Sequence, residues 1–206
     1  MIGFYNYTVI LTYVGTVSGF IGIYYILNDN LFASLIYLLF SGFCDMFDGK
    51  IASTMIRTKQ EKKFGIQIDS LSDLICFGVL PALIGIHCSN ESIVSFIIST
   101  IYLLCALIRL AWFNVDEEER QDIDNGSRKV YLGLPVTSSA LFIPLAIGLG
   151  EFCNIPISSY LSWVLLLIAI AYITPFHIQK PKRIGIIIML LLGTLLFTFV
   201  VLRRFP

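Results

Sequence analysis

Four aspartates lie within the apolar stretches of this chain, where charged side chains are rare. Asp45 and Asp48 are three residues apart, and a second pair, Asp69 and Asp73, is four residues apart. Either spacing places both carboxylates of a pair on one face of a helix. The connector between the two stretches is short, so the helices are expected to be antiparallel neighbours whose four carboxylates converge at one depth. Their mutual repulsion is strong in a low dielectric, and bound divalent cations would remove it.

Oxygen ligands of this kind favour magnesium, manganese or calcium over zinc. Two other readings stay open at this point: a proton relay within the membrane, or pairing of the aspartates with Lys50 and Arg109. Pairing leaves an imbalance, because two cations cannot neutralise four anions. The five cysteines are scattered singly, without the C-x-x-C spacing that indicates a zinc site.

Small residues accompany both aspartate pairs. Gly49 and Ala52 follow the first pair on nearly the same face, and Gly65 precedes the second pair by four residues. Small side chains at these positions let a ligand or a neighbouring helix approach closely, and helix packing alone would explain any one of them. Together with the aspartates they outline the floor of a cavity.

The composition indicates what surrounds these residues. The chain has 206 residues, of which 57% are hydrophobic and 14% charged, and its mean hydropathy is +0.84. A bilayer accommodates that much apolar surface, whereas a soluble fold of this size does not. No basic tail is present to bind nucleic acid, so no nucleic-acid partner is expected. We expect a single transmembrane domain over residues 1–206.

Seven apolar segments predict an all-α fold, a polytopic membrane bundle of seven transmembrane helices within a range of six to eight. The connector 116–129, DEEERQDIDNGSRK, is expected to be a solvated loop or a short helix. Its consecutive acidic residues face different directions on a helix and so do not form a second metal site. The segments cover roughly residues 9–27, 32–57, 66–88, 92–114, 134–152, 158–177 and 184–202.

Lysine and arginine are concentrated in alternate connectors. The second, fourth and sixth connectors carry them, whereas the first, third and fifth have none. The positive-inside rule then predicts that the even connectors, the N-terminus and the aspartates lie on the cytoplasmic side of the cell membrane. Arg203 and Arg204 would fall outside on a count of seven spans, which leaves the side of the C-terminus open.

The segment from Asp45 to Asp73 resembles the signature of the CDP-alcohol phosphotransferases. That signature is two aspartates separated by two residues, then Gly, two residues and Ala-Arg, followed after a gap by Gly, three residues, Asp, three residues and Asp. The corresponding residues here are DMFDGKIAS, eleven further residues, and GIQIDSLSD. All four aspartates and both glycines match, but Ser53 stands where the family has Arg, and the gap is a few residues longer.

Within this family, the chain is most similar to the phosphatidylserine synthases. The similarity is carried by DSLSDLICFGVLPA, RLAWFN and YLGLPVTSSA, and it extends over residues from about 10 to 180. It implies transfer of a phosphatidyl group from CDP-diacylglycerol to the hydroxyl of L-serine, giving phosphatidylserine and CMP, by a homodimer in the lipid bilayer. The alternatives are another acceptor, such as glycerol phosphate or inositol phosphate, and an ion-coupled transporter, although the inverted repeats common in transporters are not evident.

The resemblance also implies roles for individual residues. Asp45, Asp48 and Asp69 resemble the ligands of two divalent ions, Mg²⁺ or Mn²⁺, with Ca²⁺ as a further candidate. Asp73 resembles a metal ligand that also serves as the general base on the serine hydroxyl. The residues that would contact the nucleotide are Asp48, Gly49, Ala52, Ser53, Gly65 and Asp69.

The acceptor L-serine needs side chains that bind its carboxylate and its ammonium group. Arg109, which lies inside a span, and Asn114 are the candidates. Arg109 could instead pair permanently with an aspartate or extend to the surface. Further cations could contact the lipid phosphate or serve only to fix topology, namely Arg57, Lys62, Lys180 and Lys182.

Overall fold

The computed structural model of the chain describes residues 3–89, 92–123 and 130–179. The predicted seventh segment, 184–202, lies outside these ranges, and so do Lys180 and Lys182. Helices make up most of the described chain. In order, the elements are α1 (Tyr7–Leu27), α2 (Leu31–Ala52), α3 (Lys59–Asp73), a π-helical turn (Leu74–Val79), α4 (Leu80–Cys88), α5 (Ile93–Ile123), β1 (Val130–Leu132), a 3₁₀ turn (Val136–Ser138), α6 (Ser139–Phe152), α7 (Ile157–Ile173) and β2 (His177–Gln179).

The six predicted segments within the described ranges each coincide with helix. Within the described residues, four stretches are long and apolar enough to cross a bilayer, and two further apolar helices are shorter. The predicted all-α membrane bundle is thus confirmed, and the chain is an integral membrane protein. The long stretches are Tyr7–Leu27, Leu31–Ala52, Lys59–Cys88 and Ile93–Arg120, and the shorter ones are Val136–Phe152 and Ile157–Ile173.

The boundaries on the side of the charged connectors differ from the prediction. Helix α2 ends at Ala52 rather than at residue 57, and Ile56 in the following connector is 99% exposed. Helix α3 begins early because Thr58 and Glu61 form a reciprocal capping box, with the Thr58 Oγ1 accepting from the Glu61 backbone N–H at 3.2 Å. The cap adds about two polar turns to α3 ahead of its apolar part.

The acidic connector predicted as a loop or short helix continues α5 as far as Ile123. Glu117 and Arg120, three residues apart on the helix, form two side-chain hydrogen bonds of 3.0 and 2.6 Å. Such a pair extends a helix beyond its apolar part, and charge alone did not reveal this extension.

Helix α1 is the common support of the first half of the bundle. Its glycines face close neighbours: a Cβ at Gly15 would lie 3.3 Å from Cys44 Cβ, and a Cβ at Gly19 would lie 2.5 Å from Cys76 Sγ. The same holds at Gly22, where a Cβ would lie 2.8 Å from a Leu80 methyl carbon. This row of small residues lets α2 and the segment after Asp73 pack closely against α1.

A short antiparallel ribbon joins the segment before α6 to the segment after α7. Strands β1 and β2 pair with Leu132 opposite His177. Next to the ribbon, Gly133 has a φ of +73°, and a Cβ there would lie 3.1 Å from the carbonyl oxygens of Tyr172 and Thr174. Glycine is therefore required at this position both by the backbone conformation and by the available space. The ribbon was not predicted from the sequence.

The connectors at the opposite end of the bundle are short. Asn154, between α6 and α7, has a φ of +56°, and Asp29, between α1 and α2, has a φ of +59° and lies 3.1 Å from the His87 ring. All five cysteines are free. Cys153 in the α6–α7 connector is exposed, whereas the other four are buried or half-buried.

Candidate metal and substrate site

Three carboxylates meet between α2 and α3. One oxygen from each of Asp45, Asp48 and Asp69 lies within 4.8 Å of the other two. Asp48 is buried, at 9% exposure, and the other two are half-buried. The spacings of three and four residues thus direct side chains from two separate helices to one point.

Asp73 completes the group on its deeper side. The Asp45 carboxyl group lies next to that of Asp73, and the Asp48 group lies next to that of Asp69. This order of pairing requires α2 and α3 to run in opposite directions, as predicted. The two helices nevertheless pack mainly on α1 rather than on each other, which leaves the space between them to the four side chains.

The donor set fits a hard divalent cation. All the converging groups are carboxylate oxygens, the ligand type that Mg²⁺, Mn²⁺ and Ca²⁺ prefer. Carboxylates held this close repel one another unless a cation or a proton lies between them. Among residues 3–89, 92–123 and 130–179, no lysine or arginine lies within ion-pair distance of any of the four aspartates.

The alternative reading, pairing of the aspartates with Lys50 and Arg109, is therefore wrong for the described part of the chain. The Lys50 ammonium lies over the Phe47 ring, 5.0 Å from its centroid, on the exposed side of α2. Arg109 is buried on α5 and donates from Nε to the Leu134 carbonyl at 3.2 Å.

Hydroxyl groups from α1 form the back of the site, and they were not predicted from the sequence. The Thr12 hydroxyl donates to Asp48 Oδ2 at 3.2 Å. The Thr16 hydroxyl contacts Ser72 Oγ at 2.7 Å, so α1 also holds α3 between Asp69 and Asp73. The available signal was the spacing of Thr8, Thr12 and Thr16 at four-residue intervals in an apolar helix.

The small residues differ in their surroundings. A Cβ at Gly49 would meet nothing within 4 Å, so this face of α2 is open beside the carboxylates. Ala52 is half-buried, and Ser53 donates to the Lys50 carbonyl at 2.6 Å at the end of its own helix. Gly65 faces the Arg57 guanidinium, because a Cβ there would lie 3.1 Å from Nη1.

The predicted serine ligand Asn114 lies where α5 packs against α3. Its Oδ1 accepts a hydrogen bond from Ser70 Oγ at 2.5 Å, and its amide nitrogen donates to Gln67 Oε1 at 3.3 Å. Ser70 follows Asp69 directly, so Asn114 adjoins the carboxylate group without touching it in these contacts. Lys62 is half-buried in the first turn of α3.

The acidic run after α5's apolar part contacts α3 and pairs within its own helix. Glu118 faces α3, accepting from Gln67 Nε2 at 3.1 Å and lying 3.5 Å from the Lys63 ammonium. Glu117 pairs with Arg120. Through Glu118, the run therefore links α5 to α3.

Several relatives align with most of this sequence. The CDP-diacylglycerol–serine O-phosphatidyltransferase of Methanocaldococcus jannaschii is 35% identical over 149 residues, which are 72% of this chain and 63% of the relative. The protein of the same name from Saccharomyces cerevisiae is 31% identical over 159 residues, 70% of this chain and 56% of the relative. The archaetidylserine synthase of Methanothermobacter thermautotrophicus is 28% identical over 177 residues, 85% of this chain and 70% of the relative.

The chain spans less than two thirds of the length of the first two of these relatives. The match to a protein family covers a larger share of this chain. Residues 5–202 match the family described as CDP-alcohol phosphatidyltransferase, and this range includes all four aspartates and the α1 hydroxyls behind them. The resemblance read from the aspartate signature is thus confirmed, and the chain belongs to the CDP-alcohol phosphatidyltransferase family.

Proposed function

We propose that this protein transfers the phosphatidyl group of CDP-diacylglycerol to the hydroxyl of L-serine, giving phosphatidylserine and CMP. The observation that carries the proposal is a group of three converging carboxylates with Asp73 beside them, without a lysine or arginine partner in the described chain, in a member of this family. The names of the relatives support serine as the acceptor.

Asp45, Asp48 and Asp69 would hold divalent metal, with Asp73 as a further ligand. Two ions, Mg²⁺ or Mn²⁺, suit four carboxylates better than one, and Ca²⁺ offers the same ligand preference. When bound, such ions neutralise the charge on the pyrophosphate oxygens and stabilise CMP as it leaves.

Asp73 is the residue best suited to take the proton from serine. It lies on the deeper side of the group, and its carboxyl contacts Asp45 from the facing helix. In the transfer, the serine hydroxyl oxygen bonds to the phosphorus of the phosphatidyl group while the bond from that phosphorus to CMP breaks. The hydroxyl proton passes to the Asp73 carboxylate, so no covalent enzyme intermediate is required.

The nucleotide would occupy the open face of α2. The space beside Gly49 supports this, and Ala52 and Ser53 continue the same face toward the connector. Across the site, Gly65 leaves room that the Arg57 guanidinium borders. Arg57 and Lys62 would contact a phosphate of the donor, and Lys180 and Lys182 would add to that charge. Asp48 and Asp69 would face the same ligand.

Arg109 and Asn114 are the proposed partners of serine. Arg109 is buried close to Gly133, whose Cβ would lie 3.5 Å from Nε, and a carboxylate ligand suits a buried guanidinium. Asn114 reaches the α3 turn that carries Asp69 through Ser70. Asn114 contacts the aspartate-bearing helix, and Arg109 lies five residues before it on α5, facing the segment before α6.

The protein would act in the cell membrane with its site facing the cytoplasm. The positive charge of the connector after α2 supports this orientation, because Arg57, Lys59, Lys62 and Lys63 all lie on the side of the carboxylates. There the acyl chains of the donor stay in the bilayer while its pyrophosphate reaches the aspartates.

We further propose that residues 1–206 act as one transmembrane domain and that the protein is a homodimer.

A panel of acceptors tests the function directly. The purified full chain is incubated with CDP-diacylglycerol and, in separate reactions, L-serine, glycerol phosphate and inositol phosphate, and CMP release is measured. Serine alone is expected to support release, chelation is expected to abolish it, and Mg²⁺ or Mn²⁺ is expected to restore it. Release with another acceptor but not with serine would contradict the substrate, and release indifferent to chelators would contradict the metal. Solute movement without CMP release in proteoliposomes would indicate a transporter.

A further inference from the structure

The helix that carries Asp69 and Asp73 changes its winding immediately after Asp73. Residues Leu74–Val79 form a π-helical turn, in which the Leu80 backbone N–H donates to the Ile75 carbonyl five residues earlier. A π turn holds an extra residue, so it rotates everything before it relative to everything after it. This rotation lets Asp69 and Asp73 face α2 while Leu80, beyond the turn, is fully buried.

One carbonyl in this turn receives two hydrogen bonds from other helices. Pro81 has no backbone N–H to donate to the carbonyl of Phe77, four residues before it. The Tyr102 hydroxyl of α5 donates to this carbonyl at 2.6 Å, and the Ser139 hydroxyl at the start of α6 does so at 3.4 Å. Tyr102 and Phe77 are 0% and 1% exposed, so water does not take the place of these donors.

A second buried tyrosine makes a related but distinct contact. The Tyr172 hydroxyl lies 3.2 Å from that of Tyr102 and donates to the Val136 carbonyl at 3.0 Å. Tyr172 is 1% exposed and therefore as deeply buried as Tyr102. In these contacts, Tyr102 bonds to the π turn, whereas Tyr172 bonds to the 3₁₀ turn before α6.

We propose that Tyr102 is a positioning residue for the transfer, and the proposal rests on the function given above. By holding the Phe77 carbonyl, its hydroxyl stabilises the π turn, and the π turn sets the direction in which the Asp73 carboxyl leaves α3. Without the hydroxyl, the turn loses its strongest outside donor, and a regular α-helical winding would redirect Asp73 away from Asp45. Tyr102 does not touch the substrates, and it acts through Asp73.

The variants Tyr102→Phe and Tyr172→Phe test this in the full-length protein. Both remove one buried hydroxyl from the same cluster, so their unfolding temperatures are expected to fall by similar amounts. Tyr102→Phe is expected to lower kcat about 10- to 100-fold with the KM for CDP-diacylglycerol unchanged, the effect of a small displacement of a reacting group. Tyr172→Phe is expected to keep kcat within about threefold of the wild type, because its hydrogen bond goes elsewhere.

Mn²⁺ binding, followed by electron paramagnetic resonance, provides a readout that needs no turnover. Tyr102→Phe is expected to weaken Mn²⁺ binding about 10-fold, and Tyr172→Phe is expected to leave it unchanged. Equal effects of the two variants on kcat and on Mn²⁺ binding would overturn the inference, since they would indicate a shared structural role. Wild-type protein that binds Mn²⁺ but releases no CMP with any acceptor would contradict the proposed function alone, and the binding data would still decide the role of Tyr102.

Discussion

Two groups of polar side chains lie inside this apolar bundle, and they are satisfied in opposite ways. At one end of the bundle, the carboxylates of Asp45, Asp48 and Asp69 converge within 4.8 Å. At the other end, three serines bond to one another: Ser162 Oγ lies 3.1 Å from Ser89 Oγ and 3.0 Å from Ser95 Oγ. Ser95 also donates to the Gly85 carbonyl at 3.0 Å.

The difference lies in what each group requires from outside. A hydroxyl both donates and accepts, so serines on neighbouring helices can satisfy one another and hold the helices together. An ionised carboxylate only accepts, so four of them cannot satisfy one another however well they are packed. Polar residues in a membrane bundle therefore indicate a ligand when they are all acceptors of like charge, and indicate helix packing when their donors and acceptors balance.

The largest expected effect comes from replacing Asp73 with Asn. The variant loses the proton acceptor and one metal ligand, so turnover is expected to fall about 100- to 10,000-fold while nucleotide binding is partly retained. Stability is not expected to fall, because one of four like charges is removed. CMP release and thermal unfolding in detergent measure the two effects.

Asp29→Asn is the matched control for this change. Asp29 lies in the α1–α2 connector at the opposite end of the bundle and contacts His87 there. Turnover is expected to be unchanged in this variant. Wild-type turnover in Asp73→Asn would remove Asp73 from the mechanism and weaken the contrast between the two polar groups.

A smaller effect is expected at Thr12, the α1 residue that bonds to Asp48. Thr12→Val keeps the shape of the side chain but removes the donor that orients one Asp48 oxygen. The metal concentration for half-maximal activity is expected to rise about 10-fold, as for other partners of metal-binding carboxylates. Thr12→Ser keeps the hydroxyl and should stay close to the wild type. Equal behaviour of the valine and serine variants would show that the hydroxyl has no part in metal binding.

The smallest effect is expected in the serine group. Ser162→Ala removes the hydroxyl shared by Ser89 and Ser95, and the free energy of unfolding should fall by about 0.6 kcal/mol, the average for such bonds between membrane helices. Turnover at saturating substrate should not change. Loss of activity without loss of stability would mean that this end of the bundle also takes part in function, and the comparison between the two groups would fail.

Much of the half that carries the aspartates could be predicted because its signals are local. The spacing of Asp45 with Asp48 and of Asp69 with Asp73 defines helix faces, and the lengths of the apolar runs define the helices that carry them. The end of α2 at Ala52 and the start of α3 at Lys59 were less predictable. The start of α3 depends on the capping box of Thr58 and Glu61, which extends α3 beyond its apolar residues.

The missed features depend on residues that are distant in the sequence. The π turn after Asp73 is stabilised by Tyr102 and Ser139, which lie 25 and 62 residues away from Phe77. Thr12 reaches Asp48 across 36 residues. The sequence shows that these side chains are polar and lie in apolar helices, but their partners are fixed only when the helices pack.

The exposed thiol in the α6–α7 connector makes the orientation of this protein measurable without adding any tag. Cys153 is exposed, and the other four cysteines are at least half-buried in the bundle. A maleimide that cannot cross membranes should therefore modify this position first, and the side of the membrane from which it does so identifies the side of the connector. If the aspartates face the cytoplasm, intact cells will be labelled without permeabilisation, whereas labelling that requires permeabilised cells would mean that the bundle is inserted the other way round.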